Sequence, residues 1–151
     1  MDNTLISFGE RLPSIDVVNF INNVKKMGIE FVLFSNNIKS RVENFAKKAG
    51  IDNYFWDCRK PLIGKMKIID NLFNFNRDEM IFIGDQLITD IFFANRCHIK
   101  SILVTPLKRS EDENKFIKFL ENKILKKLEQ KNIIHEGFYT DSELTESYEI
   151  L

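Results

Sequence analysis

Short apolar runs alternate along this chain with stretches of helical periodicity, and that alternation admits few folds. Residues 30–34 read Glu-Phe-Val-Leu-Phe, the near-continuous apolar run of a strand buried on both faces. Further short strands are expected at 54–56, 80–83 and 101–105, the last closed by Pro106. Between them the 3.6-residue period predicts helices. In 14–27, Ile15, Val18, Ile21 or Phe20, and Val24 share a face, Ser14 can cap and Gly28 stops the helix. In 38–49, Val42, Phe45, Ala46 and Ala49 point inward and Gly50 ends the helix. Further helices are expected at 62–73, 89–96 and 112–131. Strands alternating with helices predict an α/β fold, a mostly parallel sheet covered by helices on both faces. In such sheets the ligand site lies beyond the carboxyl ends of the strands. Ser35, Lys60 and Asp85 fall at or near those ends.

Composition narrows the function classes. Lys+Arg and Asp+Glu are both 22, so there is no basic excess to suit nucleic acid. Two cysteines, Cys58 and Cys97, and two histidines have no metal-ligand spacing, and the cysteines read as reduced thiols of a cytoplasmic protein. No apolar run is long enough to span a bilayer, and the polar, acidic start does not resemble a signal peptide. At 151 residues the chain can bury one core.

Four stretches carry chemistry: Asp2-Asn3-Thr4-Leu5, Ser35-Asn36-Asn37, Arg59-Lys60-Pro61 and Gly84-Asp85-Gln86-Leu87-Ile88-Thr89-Asp90. Each has an ordinary reading. A single Asp after a strand serves turns and helix N-termini. A Ser-Asn pair makes capping turns, a lone Lys lies on the surface, and an Asp near a terminus is solvated. Together, carboxylates, a hydroxyl and a lysine at successive strand ends are what Mg²⁺-assisted phosphoryl transfer requires. Pro61 holds Lys60 extended, which can aim the ammonium at developing negative charge. Ser35 and neighbouring backbone N–H groups suit phosphoryl oxygens.

These stretches resemble the haloacid dehalogenase (HAD) superfamily of phosphatases, whose motifs run Asp-x-Asp-x-Thr, Ser or Thr after a strand, Lys, and Gly-Asp with a further Asp. Together with Arg41-Val42 and Asn95-Arg96, the Gly84-to-Asp90 stretch is similar to the YqeG family of subclass IIIA phosphatases, over roughly residues 2–131. That family is similar in turn to phosphatidylglycerophosphate phosphatases. The resemblance implies a HAD-like, Rossmann-like three-layer sandwich. It implies that Asp2 is the general acid/base and a Mg²⁺ ligand through its backbone carbonyl. Ser35 and Asn36 bind phosphate, Lys60 neutralises it, Asp85 binds the metal, and Asp90 is a supporting acid. The substrate it implies is a phosphate monoester, with phosphatidylglycerophosphate as a candidate.

The family's nucleophilic Asp stands two residues before the acid/base, which here is the position immediately before Met1, and the first central strand would precede it. The expectation is therefore a chain inactive as given, with a start codon assigned to an internal methionine. Between Leu5 and Lys60 there is room for helices and a short strand but no inserted cap. The helix at 112–131 carries Phe116, Ile117, Leu120, Ile124 and Leu128 on one face, and Lys115, Lys118, Lys123, Lys126, Lys127 and Lys131 elsewhere. It is expected to dock on the sheet, with contact to an anionic membrane as the sharper alternative. The phosphatase domain is expected over 1–131 and a solvated acidic tail over 132–151, with Phe138-Tyr139 as a segment that can dock. Two rival classes remain, a non-catalytic HAD-like interaction module and a receiver-like signalling domain. Ser35 and Lys60 do not suit the receiver. Substrate identity and oligomeric state are not encoded in any motif.

Overall fold

The computed structural model describes residues 1–73, 76–108 and 115–131, without the side chains of 115–118. The acidic tail, Phe138-Tyr139 and the side chains of Lys115, Phe116, Ile117 and Lys118 lie outside the described residues. The chain divides into two compact units, Met1–Glu111 and Asp112–Leu151.

The first unit holds helices α1 (Ile15–Lys26), α2 (Lys39–Ala49), α3 (Gly64–Phe73) and α4 (Phe92–Arg96). Its strands are β1 (Val32–Phe34), β2 (Asn53–Phe55), β3 (Ile81–Gly84) and β4 (Lys100–Leu103). Ser14 caps α1, its hydroxyl accepting from the Val17 N–H at 3.3 Å. Gly50 ends α2 at φ 70°, the left-handed position that costs a glycine little. Val42, Phe45, Ala46 and Ala49 are all buried, as their spacing requires. On α1 the expected face shifts. Ile21 is buried, but Ile15 stays 70% exposed and Val17 packs against the core instead. An unexpected 3-10 turn, Arg77–Glu79, precedes β3.

β1 pairs in parallel with β2, and β3 in parallel with β4. The single sheet expected from the sequence is thus two parallel pairs among the described residues. What joins them is aromatic packing. The Phe34 ring of β1 lies 6.2 Å from Phe82 of β3, and Phe93 of α4 lies 5.1 Å from Phe34 and 5.2 Å from Phe82. Adjacent strand residues face opposite ways, so Leu33 enters a core with α1 and α2 while Phe34 enters a second core with α3 and α4. β1 is therefore buried on both faces. The segment before β1 holds one helix, and that between β1 and Lys60 holds one helix and one short strand. The second unit contributes α5 (Lys115–Gln130). No helix among the described residues is long and apolar enough to cross a membrane.

Cys58 and Cys97 are free and each is 1% exposed. Burial pushes the Cys58 thiol up to about 11 and that of Cys97 up as well. Only the thiolate reacts, so at pH 8 about one Cys58 in a thousand is competent even if reached. The folded protein is expected to leave both thiols unmodified by a thiol reagent over the minutes in which the urea-unfolded chain reacts fully. Rapid native labelling would contradict this packing.

Candidate active site

The aromatic cluster puts the carboxyl ends of β1 and β3 side by side, and the motif residues follow those ends. Ser35 is buried directly after Phe34. Its N–H donates to Phe55 O at 3.0 Å and its carbonyl accepts from Cys58 N–H at 3.1 Å. Asn37 O accepts from Asp57 N–H at 2.9 Å. The loop leading to Lys60 is thereby laced to the loop after β1. The loop leading to Lys60 is strained, since Asp57 and Arg59 hold φ of 45° and 55°, a region L-residues avoid. Tertiary bonds on both sides hold it there.

The lacing turns Lys60 inward. Its ammonium pairs with the Asp90 carboxylate, and the two side chains are 9% and 6% exposed. The Phe82 ring lies 5.2 Å from Lys60 Nζ. Asp90 reaches this point through a π-helical turn, Leu87–Ile91, that precedes α4. The sequence suggested one helix from Thr89. The widened turn instead lets Asp90 fold back over β3, where its Oδ2 accepts from Gln86 N–H at 3.1 Å. This also explains the motif glycine. A Cβ on Gly84 would lie 2.4 Å from Asp90 Cβ and 2.5 Å from its Oδ2, so only glycine fits beneath that side chain.

Asp85, beside Gly84, is half-buried and accepts from the Thr4 hydroxyl at 2.7 Å. That bond brings the Asp2-Asn3-Thr4-Leu5 loop to the end of β3. Burial first, and the Asp90 charge after the opposing Thr4 bond, raise the Asp85 carboxyl above its ordinary value. The Asp2 carboxylate is held at both oxygens, Oδ1 by Arg41 and Oδ2 by the Asn37 amide. Arg41 also donates to Glu10 O at 2.8 Å, which ties down the loop after Ile6. The Met1 amino group is buried in the same field. Desolvation, then Lys60, lower its pKa, against Asp90, Asp2 and Asp85.

The fold thus brings Asp2, Ser35, Lys60, Asp85 and Asp90 to one end of the strands. Asn36 is at that end too, but its side-chain amide is engaged with the Lys60 backbone. Arg41 and Asn37 carry contacts that no motif role anticipated. A signal was present for Arg41, which is in register with the buried Phe45 and Ala49 on α2, a charge on an inward stripe. For a metal, no three His, Cys, Asp or Glu side chains form a ready cluster among the described residues. The donor set still fits Mg²⁺, which needs one or two carboxylates besides water and phosphate. Asp85 offers a desolvated carboxylate whose one described side-chain contact is Thr4.

The pattern of the HAD-hydrolase-like family matches residues 57–130. Over 137 residues the chain is 31% identical to the probable phosphatase YqeG of Bacillus subtilis (strain 168), a stretch covering 89% of this chain and 78% of that protein.

Proposed function

We infer, since the chain belongs to the HAD-type family of YqeG-like phosphatases, that its site hydrolyses a phosphate monoester. The observation that carries the reading is the buried Lys60–Asp90 pair beside Ser35 and Asp85, a cation fixed where phosphoryl oxygens would arrive. The chemistry is in-line transfer to a carboxylate and then to water, which splits one hard step into two. In the family that carboxylate stands two residues before the acid/base position that Asp2 matches. Lys60 and the Ser35 hydroxyl hold phosphoryl oxygens. Asp2 gives a proton to the leaving oxygen and then takes one from water, oriented by Arg41 and Asn37. Asp85 and the Asp2 backbone carbonyl would hold Mg²⁺, which offsets charge on the transferring group. Phosphatidylglycerophosphate is the first ester to assay. The basic residues of α5, such as Lys123 and Lys127, are compatible with an anionic surface.

The test is Mg²⁺-dependent hydrolysis of an aryl phosphate by the chain preceded by an apolar strand ending in Asp at the position before Met1. Turnover is expected there, while the same extended chain with Asn at that position stays inactive. An extended chain that folds, binds orthophosphate and never turns over would favour a non-catalytic HAD-like module.

A further inference from the structure

We propose that Asn36 is a positioning residue that sets Lys60 through its backbone. The inference rests on the reading of Lys60 as the phosphate-facing cation. Asn36 Oδ1 accepts from the Lys60 N–H at 2.7 Å, and Asn36 Nδ2 donates to the Lys60 carbonyl at 3.1 Å. An amide that bonds both polar groups of one residue pairs with it as a neighbouring strand would. The orientation is unambiguous, since a flipped amide would oppose two donors and two acceptors.

The clamp sits where the chain needs one. Lys60 ends a segment with two residues at left-handed φ, Asp57 and Arg59, and such conformations persist only where surroundings over-determine them. Asp57 and Cys58 are held by backbone bonds to Asn37 and Ser35. After Lys60, Arg96 donates to the Pro61 carbonyl at 2.9 Å. At Lys60 itself, the Asn36 side chain supplies the partners for the N–H and C=O. Without it, the residue that must deliver an ammonium to Asp90 and to phosphate has a loose backbone. Small misplacements of such groups carry large functional penalties. Asn36 therefore acts on phosphate through Lys60, with its side chain already committed.

The experiment compares the parent chain with Asn36→Ala and, as a control for lost stability, Asn76→Ala. Asn76 accepts from Asp78 N–H at 3.2 Å outside the site. Amide exchange of Lys60 and affinity for inorganic phosphate are both measured by NMR. Asn36→Ala is expected to speed Lys60 amide exchange tenfold or more, by removing its acceptor, and to weaken phosphate about tenfold. Asn76→Ala should change neither. An unprotected Lys60 amide in the parent, unchanged phosphate affinity in Asn36→Ala, or the same losses in Asn76→Ala would each overturn the proposal. A parent whose Lys60 amide is protected by Asn36 but which binds no phosphate would instead defeat the reading of the site, leaving the clamp as a structural feature alone.

Discussion

Lys60→Ala is expected to cost about 3–5 kcal/mol of folding stability, because it strands a buried carboxylate. Asp90 is 4% exposed, and after loss of the ammonium its described partner would be the Gln86 N–H. One amide dipole does not replace a full charge. Lys65→Ala makes the contrast. The Lys65 ammonium lies 5.6 Å from the Trp56 ring, an arrangement worth ~0.5–1 kcal/mol near the surface. Urea unfolding of the two variants should therefore differ several-fold in cost. Adding Asp90→Asn to Lys60→Ala should recover most of the loss, since a neutral amide needs no cation. Equal costs for the two lysines would place Lys60 at the surface and remove the main support for the proposed chemistry.

That pair also marks where the sequence stops being informative. Ser14, Gly50 and the spacing of Val42, Phe45, Ala46 and Ala49 are local signals, and local signals decide helix ends and faces. The positions of Ser35, Lys60, Asp85 and Asp90 were legible because strand ends converge in parallel α/β folds. Which groups touch was not legible. Lys60 to Asp90, Arg41 to Asp2 and Thr4 to Asp85 are separated by 30, 39 and 81 residues. No periodicity encodes contacts of that range. The π turn before α4 was hidden for a related reason. Its cause is tertiary, since Asp90 must reach back over Gly84, and a helical period cannot show a widened turn. Asn36 shows a further limit. Its residue type suits a phosphate ligand or a backbone clamp equally well, and only the facing Lys60 peptide groups distinguish them.

Asp85→Asn is expected to separate folding from metal binding in opposite directions. In the metal-free protein the Asp85 carboxyl stands in a partly desolvated place that disfavours its charged form, chiefly by burial, and the nearby Asp90 charge adds to the penalty. The sign follows from linkage. A carboxyl whose folded pKa lies above its unfolded value weakens the fold once pH exceeds the folded pKa. The penalty disappears as pH falls below the unfolded value of about 4. Asparagine has the same shape, can still accept the Thr4 hydroxyl and carries no charge. The variant should therefore be more stable than the parent at pH 7 without metal. The gain should be small, because water still screens a partly exposed group. The difference should fade as pH is lowered through the folded pKa toward 4. With Mg²⁺ present the order should reverse. The parent gains stability with metal concentration as any folded-state binder does, while Asp85→Asn, lacking the anionic ligand, binds at least about tenfold more weakly. Thermal unfolding at pH 4 and pH 7, with and without millimolar Mg²⁺, reads all of these effects. Metal-induced stabilisation of equal size in both proteins would remove Asp85 from the metal site, and a less stable variant at pH 7 without metal would mean that the carboxylate is a structural partner of Thr4 rather than a charge held ready for a cation.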